Sequence, residues 1–491
     1  MKDEQQYIKY HKWKKSDLSK LHSSIYNLLS LTNLQFYMPY FSLYFYIHNT
    51  KNSHKKIDIK RKYYLIQLNK ILKEKYYNSN LILNGILYNS GKNIYEEKDL
   101  FCKIIPLLDP MQLINNNYNL INRNHYHLPS NYNYNTFNKI NDMNNTAYID
   151  VFCSYLFSYL VVNNILPSFA IFYGSINGIG KYKYDITDEY TDLRIDKCFN
   201  QNINKSFKLN MYVSGSESES ESESESESEL ESDLEDNSDI SSDSEKSDFE
   251  NDCNDDFIIN FEKIPLQLLF IEKLEGTLED YLLDDNFSEE VLISCIFQIA
   301  FALNYLQKHY SFTHNDLHIN NIMYSNTENE YLYYKINNKY FRIPTYGKIF
   351  KIIDFGRSIF TFKGKVFNND VFSKYSEAYG QYYYPTQVKF HNDTCENKVK
   401  SNYNFDLCRL SMTILDEITD NISDKLKTFL NNMCIDVNGD NFCDMEDDFS
   451  LYVNISKNAR NSLPSKILEN NIFKRFRVVK KNFPKKCFYK L

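Results

Sequence analysis

The chain has 491 residues, enough for two or three globular units or one enlarged domain, and its 43% hydrophobic share can fill a sizeable core. Its formal charge of −8 is unevenly spread: Ser214 to Asp256 holds 19 acids against one lysine, which leaves the rest of the chain near +10. The other basic residues are scattered, with short clusters such as Lys55–Lys56 and Lys480–Lys481, so no nucleic-acid partner is expected, and ten cysteines without a CxxC pair suggest neither a zinc ribbon nor a disulfide scaffold.

From the N-terminus, Met1-Lys2-Asp3-Glu4-Gln5 is polar and unlike a signal peptide. Ile25 to Ile47 lacks charge and nearly reaches bilayer-spanning length, but Asn27, Asn33, Gln35 and Pro39 oppose a membrane span. We read that stretch as a packed helix followed by a strand, with no membrane partner and a reducing cytoplasmic location. Residues 1–79 carry no assignable role beyond padding the downstream fold. Asn-rich runs at 115–118 and 131–145 read as a loop insertion. Phe169–Tyr173 reads as a strand, and Gly178-Ile179-Gly180-Lys181 as the turn after it, because it lacks the spacing of a Walker loop.

Ser216 to Glu229 alternates serine and glutamate, and acids with serine continue to Asp256. Period-two alternation imitates a strand, but neither face is apolar and nothing offsets the ordering entropy. Residues 213–257 are therefore expected to be a disordered acidic insertion, whose Ser-Glu tract reads either as a target of acidophilic kinases, each of its serines being followed by acids, or as a solvated spacer.

Beyond it, Leu266–Ile271 is an apolar run of strand type. Ser288 is placed to cap a helix whose first turn holds Glu289 and Glu290, and Leu292, Ile296, Ile299, Leu303 and Leu306 recur at helical spacing along one face. Tyr333 to Ile353 reads as paired strands around the Pro344-Thr345-Tyr346-Gly347 turn, and Leu407, Leu410, Ile414 and Ile418 mark another helix. A mixed first half and a helical second half predict an α+β fold. Asp436-Val437-Asn438-Gly439-Asp440 begins like a calcium loop, but Asn441 stands where the sharp turn wants glycine, so it reads as an acidic surface loop.

Two segments carry chemistry: His314-Asn315-Asp316-Leu317-His318-Ile319-Asn320-Asn321, and Ile353-Asp354-Phe355-Gly356 at the end of an apolar strand. Phosphoryl transfer from ATP needs a carboxylate to orient the attacking hydroxyl and accept its proton, and oxygen ligands for magnesium. An Asp, an Asn five residues on and a second Asp before Phe-Gly supply those groups. With these residues the chain resembles the protein kinase superfamily.

The resemblance implies a two-lobed eukaryotic-like protein kinase fold, with a small lobe at 80–212 and 258–275 and a large lobe at 276–491. It implies Asp316 as catalytic base and Asn321 and Asp354 as metal ligands. Leu100-Phe101-Cys102-Lys103 resembles the strand bearing the phosphate-pairing lysine, Lys103. Leu269 to Gly276 resembles the strand and hinge that hold adenine, through Ile271, Glu272 and Leu274, and Asp406 resembles the acid that anchors the catalytic loop. The implied reaction is transfer of the ATP γ-phosphoryl group to a protein serine or threonine.

Several positions depart from the pattern. Only Gly85 and Gly91 lie near a covering phosphate loop, and the helix expected over Ala147–Val162 offers Asp150 rather than glutamate to Lys103. Asn315 replaces the arginine that pairs with a phosphorylated activation segment, and no Ala-Pro-Glu triplet follows Gly356. His318 stands where most protein kinases have Lys; the same Asp-Leu-His occurs in haspin-like kinases and in small-molecule phosphotransferases of the aminoglycoside-kinase type. At greater length, Lys103–Pro110, Phe172–Ser175, His314–His318 and Phe405–Leu410 are similar to serine/threonine kinases of large nucleocytoplasmic DNA viruses, which would place the chain in host cytoplasm or virion. A pseudokinase scaffold and a small-molecule phosphotransferase remain the competing readings.

Overall fold

The computed structural model describes residues 10–12, 14–35, 57–75, 80–118, 128–129, 138–213, 255–384, 399–418, 421–446, 449–485 and 488–491. Helix and strand are mixed throughout, an α+β architecture.

Apolar residues at every second position put Leu81, Leu83 and Leu87 on one buried face, and this alternation builds an antiparallel sheet. Its strands are β1 (Thr32–Gln35), β2 (Tyr63–Lys75), β3 (Asn80–Asn89), β4 (Ile94–Pro106), β5 (Phe172–Asp185), β6 (Lys208–Val213) and β7 (Asp255–Glu272). Their order is β1-β5-β7-β4-β3-β2, and β6 pairs with the N-terminal half of β7. Helix α1 (Lys15–Leu29) packs against β2 through Leu21 and Ile25.

Two segments before residue 80, β1 and β2, are therefore part of this sheet, and a boundary at 79/80 falls between two paired strands. The expected helix-then-strand holds through Gln35, and the rest of that uncharged stretch lies outside the described residues. The Gly178–Lys181 turn is corrected: those residues run inside β5. A Cβ on Gly178 would come within 2.8 Å of Leu31 Cδ2, so glycine there admits the chain leaving α1.

The acidic insertion is bracketed by a β-ladder. Val213 pairs with Asp255 and Tyr212 with Asp256, so residues 255–257, read as insertion, extend β7 instead. The Ser-Glu tract itself lies outside the described residues. Part of the Asn-rich loop insertion is also corrected. Asn145 caps α2 (Thr146–Val162), accepting from Ala147 N and donating to Leu107 O, while the stretch around 131–137 lies outside the described residues.

Two main clusters of buried apolar residues form the core, and α2 contributes to both: Ala147 and Tyr148 to the sheet cluster, Ile149 to Leu160 to the other. The second cluster surrounds α3 (Glu289–Tyr310), which is buried on nearly every side rather than on one face. Among the described residues α3 is the one helix long and apolar enough to cross a bilayer, and most of it lies inside the protein. Ser288 occupies the expected N-cap position, but its hydroxyl makes no capping bond; its carbonyl accepts from Val291 and Leu292.

β8 (Gly276–Thr277), which precedes α3, forms a three-stranded sheet with β9 (Ile322–Asn326) and a later strand, while β10 (Tyr331–Ile336) and β11 (Lys339–Pro344) make a hairpin. The turn of that hairpin is at Asn337, φ 51°, not at Pro344–Gly347. Pro344–Gly347 instead carries the chain to β12 (Lys348–Ile352), which pairs with β9. Helix α4 (Phe405–Ile418) forms as expected, with Leu407, Leu410, Ile414 and Ile418 all buried.

Gly85 sits in mid-β3 beside the bulged strand β2, where a Cβ would lie 2.7 Å from the backbone oxygen of Gln67. A backbone atom in a ladder cannot move aside cheaply. Gly85→Ala should therefore lower stability by about 1–3 kcal/mol, measured as a shift in denaturant midpoint without a change in slope.

Candidate functional site

Strand alternation places Lys103 on the same face of β4 as Phe101, opposite Leu269 and Ile271 of β7. The Lys103 ammonium lies 2.9 Å from Asp150 Oδ2 and 2.8 Å from Asp354 Oδ2. Asp150 thus fills the place expected for a glutamate. Its other oxygen accepts from Phe355 N at 3.0 Å, so both oxygens are used. The Phe355 ring packs edge-on against Phe157 of α2 and tilted against Phe169.

These three charges tune one another. Desolvation raises the Asp150 carboxyl, opposed by Lys103 and the Phe355 amide. At Asp354 desolvation also pushes upward, but Lys103 and the Gly356 amide outweigh it and hold the carboxyl at about 2. Lys103 is raised, because the two carboxylates overcome the desolvation that would lower it. Asp354 sits at φ 59°, a left-handed conformation unusual for a non-glycine residue, and accepts from Gly356 N at 3.2 Å.

Asp406, at the start of α4 and fully buried, receives the backbone N–H groups of His314 (3.0 Å) and Asn315 (2.9 Å). Burial raises its carboxyl, with His314 and the two amides opposing. His314 Nε2 donates to the Ile353 carbonyl at 2.9 Å, tying the loop to the segment before Asp354. Asn321 joins them again, its carbonyl accepting from Ile353 N at 3.1 Å. The Asn321 side-chain nitrogen donates to Asp316 O and to His318 Nε2, both at 2.9 Å, which turns its oxygen away from them.

The Asp316 carboxylate is itself engaged. Tyr452 donates its hydroxyl to Asp316 Oδ1 at 3.1 Å, and Arg357 Nη1 lies 3.5 Å from the same oxygen. Asn315, at φ 67°, donates to Arg357 O and accepts from Tyr382, while Gln381 donates to Asn315 O. The chain after Gly356 is further fixed by Asp370, which takes Lys139 Nζ at 2.7 Å and Thr146 N, at the start of α2, at 2.9 Å. Asn369 donates to Gly356 O and Ser358 O.

Of the residues expected to hold a base, Ile271 lies on the Lys103 face and is nearly buried, and Leu274 is buried where β7 ends. Glu272 is committed to the fold: its N–H donates to Ile171 O, and its carboxylate takes Ile171 N and Lys351 Nζ, the latter at 2.7 Å. Gly85 lies inside β3 and Gly91 in the turn between β3 and β4; Asn80, at the start of β3, pairs with Lys103, and 76–79 lie outside the described residues. In the acidic loop at 436–440 the Asp436 carboxylate accepts from the Asn438 and Asp440 amides.

The structure thus brings Lys103, Asp354, Asn321 and Asp316 into one connected network, with Ile271 on the adjoining sheet face. Sequence reasoning missed Arg357, Tyr452 and the Lys139–Asp370 pair. Arg357 directly follows Gly356 and could have been flagged; Tyr452 is 136 positions from Asp316 and carries no local signal. Among the described residues no cluster of three His, Cys, Asp or Glu side chains marks a metal site. Compared with known proteins, the chain matches no family model and no curated protein.

Two outcomes are expected from this wiring. Asp406→Ala strands two fully buried amides, so unfolding free energy should fall by about 2–5 kcal/mol in chemical denaturation. Desolvation lowers the His318 imidazole below its usual value, against the pull of Asp316. The unfolded chain then binds the proton more readily, so stability is full above the ordinary histidine range and is lost as pH falls through it. His318→Gln should remove that component, seen as a smaller drop in melting temperature between about pH 7.5 and 5.5 than in the unaltered chain.

Proposed function

We propose that the chain is a protein kinase, with a two-lobed kinase fold, that transfers the γ-phosphoryl group of ATP to serine or threonine of a protein. The observation that carries this reading is the Lys103 ammonium bridging Asp150 and Asp354, beside a loop that presents Asp316 and Asn321. In this reading Lys103 holds phosphate oxygens and Asp150 keeps it in place. Ile271 and Leu274 flank the adenine, and Glu272 offers only its carbonyl oxygen. Asp316 orients the acceptor hydroxyl and takes its proton as the acceptor oxygen bonds phosphorus and ADP departs with the electrons of the broken bond.

The donor set suits magnesium, which takes one or two carboxylates beside phosphate oxygens and water. Asp354 has its side chain 40% exposed and stays ionised, and the Asn321 amide nitrogen is committed elsewhere, so an Asp carboxylate and an Asn oxygen would hold the ion. When bound, the metal would neutralise phosphate charge. Everything else falls to positioning by the protein.

The segment after Gly356 is held by Asn315, Asn369 and Asp370 rather than by a phosphate on an arginine. Activity is accordingly expected without prior phosphorylation of that segment. A scaffold reading also has support, since Gly85, one of the two glycines near Lys103 in sequence, is spent inside β3 against the Gln67 oxygen rather than in a loop that could close on phosphates.

One assay separates the two. With radiolabelled ATP and a generic protein acceptor, the unaltered chain should transfer phosphate. Asp354→Asn should lose at least about a hundredfold in turnover while keeping a cooperative melting transition. Transfer that survives in Asp354→Asn would refute the metal role; ATP-dependent stabilisation without transfer by the unaltered chain would favour the scaffold.

A further inference from the structure

Tyr452 belongs to a helix, Phe449–Asn458, remote in sequence from the loop bearing Asp316. Its hydroxyl stands at hydrogen-bond distance from the one Asp316 oxygen that Arg357 also approaches. The phenol is a donor here: desolvation raises it, with Asp316 adding to the shift, so it keeps its proton. Two cations lie over its ring, Arg357 at 5.3 Å and Arg409 at 5.1 Å, and the ring lies against Phe405 and Phe449 at 5.9 and 6.1 Å. A protonated hydroxyl donating to this carboxylate is the arrangement that an acceptor alcohol must adopt before attack.

We infer that Tyr452 occupies the acceptor-hydroxyl position of the site and acts as a gate, which an incoming substrate must displace before Asp316 can take its proton. The inference rests on the kinase reading and adds the residue that controls acceptor access. The reason is competition for one oxygen: Asp316 Oδ1 cannot serve as proton acceptor for a substrate while it is bonded to Tyr452. Arg357 remains to hold the carboxylate when Tyr452 leaves, so the gate can open without abandoning a charge. The hydroxyl the acceptor displaces is neutral and returns to water, a modest cost that appears as weaker apparent acceptor affinity.

The test is Tyr452→Phe in the full chain, which removes one oxygen and keeps the ring under its cations. Steady-state transfer from radiolabelled ATP to casein should show KM for casein lowered about fivefold, the worth of one hydrogen bond, with kcat not reduced and KM for ATP unchanged. ATP hydrolysis without casein should rise, because water can now reach Asp316. If Tyr452 instead merely positions Asp316, kcat falls at unchanged KM for casein, and the gate is overturned; identical kinetics overturn it as well. Should Tyr452→Phe melt, Tyr452→Leu gives the second reading, with the same directions expected.

The two proposals fail separately. A wild-type chain that transfers phosphate while the variant loses kcat sinks the gate alone. A chain whose melting temperature ATP does not raise, and that transfers nothing, sinks the kinase reading and the gate with it. A wild type that binds ATP silently, from which Tyr452→Phe gains hydrolysis, supports the gate.

Discussion

A lysine held between two carboxylates is the constraint on which this molecule turns. Lys103 comes from the large sheet, Asp150 from the helix packed beneath it and Asp354 from the chain leaving β12. Asp150 is the buried member, and a buried charge left unpaired costs several kcal/mol, so this pairing favours the approach of the three elements. The short aspartate matters to that geometry. One Asp150 oxygen holds Lys103 and the other holds the Phe355 amide, so the helix is clamped to strand and loop at once. A glutamate, one methylene longer, would need the helix to stand further off, and Thr146, whose hydroxyl donates to Gly356 O, would lose its partner.

From that clamp outward the network relies on asparagine. Asn145 caps the helix, Asn144 accepts from Asn368 N, Asn369 holds two carbonyls, and Asn315 and Asn321 tie the loop bearing Asp316 to its neighbours. Each amide side chain offers donors and an acceptor, and it tolerates the left-handed backbone that Asn315 and Asn369 adopt. An apolar core surrounds these pegs, so well-made bonds must offset the desolvation of each.

What the sequence made legible was local or periodic. The α4 face, the apolar end of β7 and the helix beginning near Ala147 each announce themselves within a dozen residues, and each forms. Two short motifs sufficed to nominate Asp316, Asn321 and Asp354, and the fold connects them through Ile353 and Lys103. What stayed hidden depends on pairing across long separations. The apolar run from Tyr333 to Ile353 specified strands but not partners, because β12 gains more by joining β9 than by folding back on β11. Ser288 shows the opposite failure: the right residue at the right position, with a hydroxyl that goes unused as a cap. Tyr452 and the Lys139–Asp370 pair lie beyond any local pattern, since their partners are more than 130 positions away.

The acidic tract shows how such a chain can accept a large addition without disturbing its centre. It enters after Val213 and returns at Asp255, two residues paired across one ladder, so the ends it must bring together are already held by the sheet. Closing a longer loop over fixed ends costs only logarithmically more with length. The insertion point and the candidate site are at opposite ends of β7, an 18-residue strand that spans roughly 55 Å at about 3.3 Å per residue. The same strand that presents Ile271 beside Lys103 thus holds, at its other end, one of the two residues between which the tract is inserted.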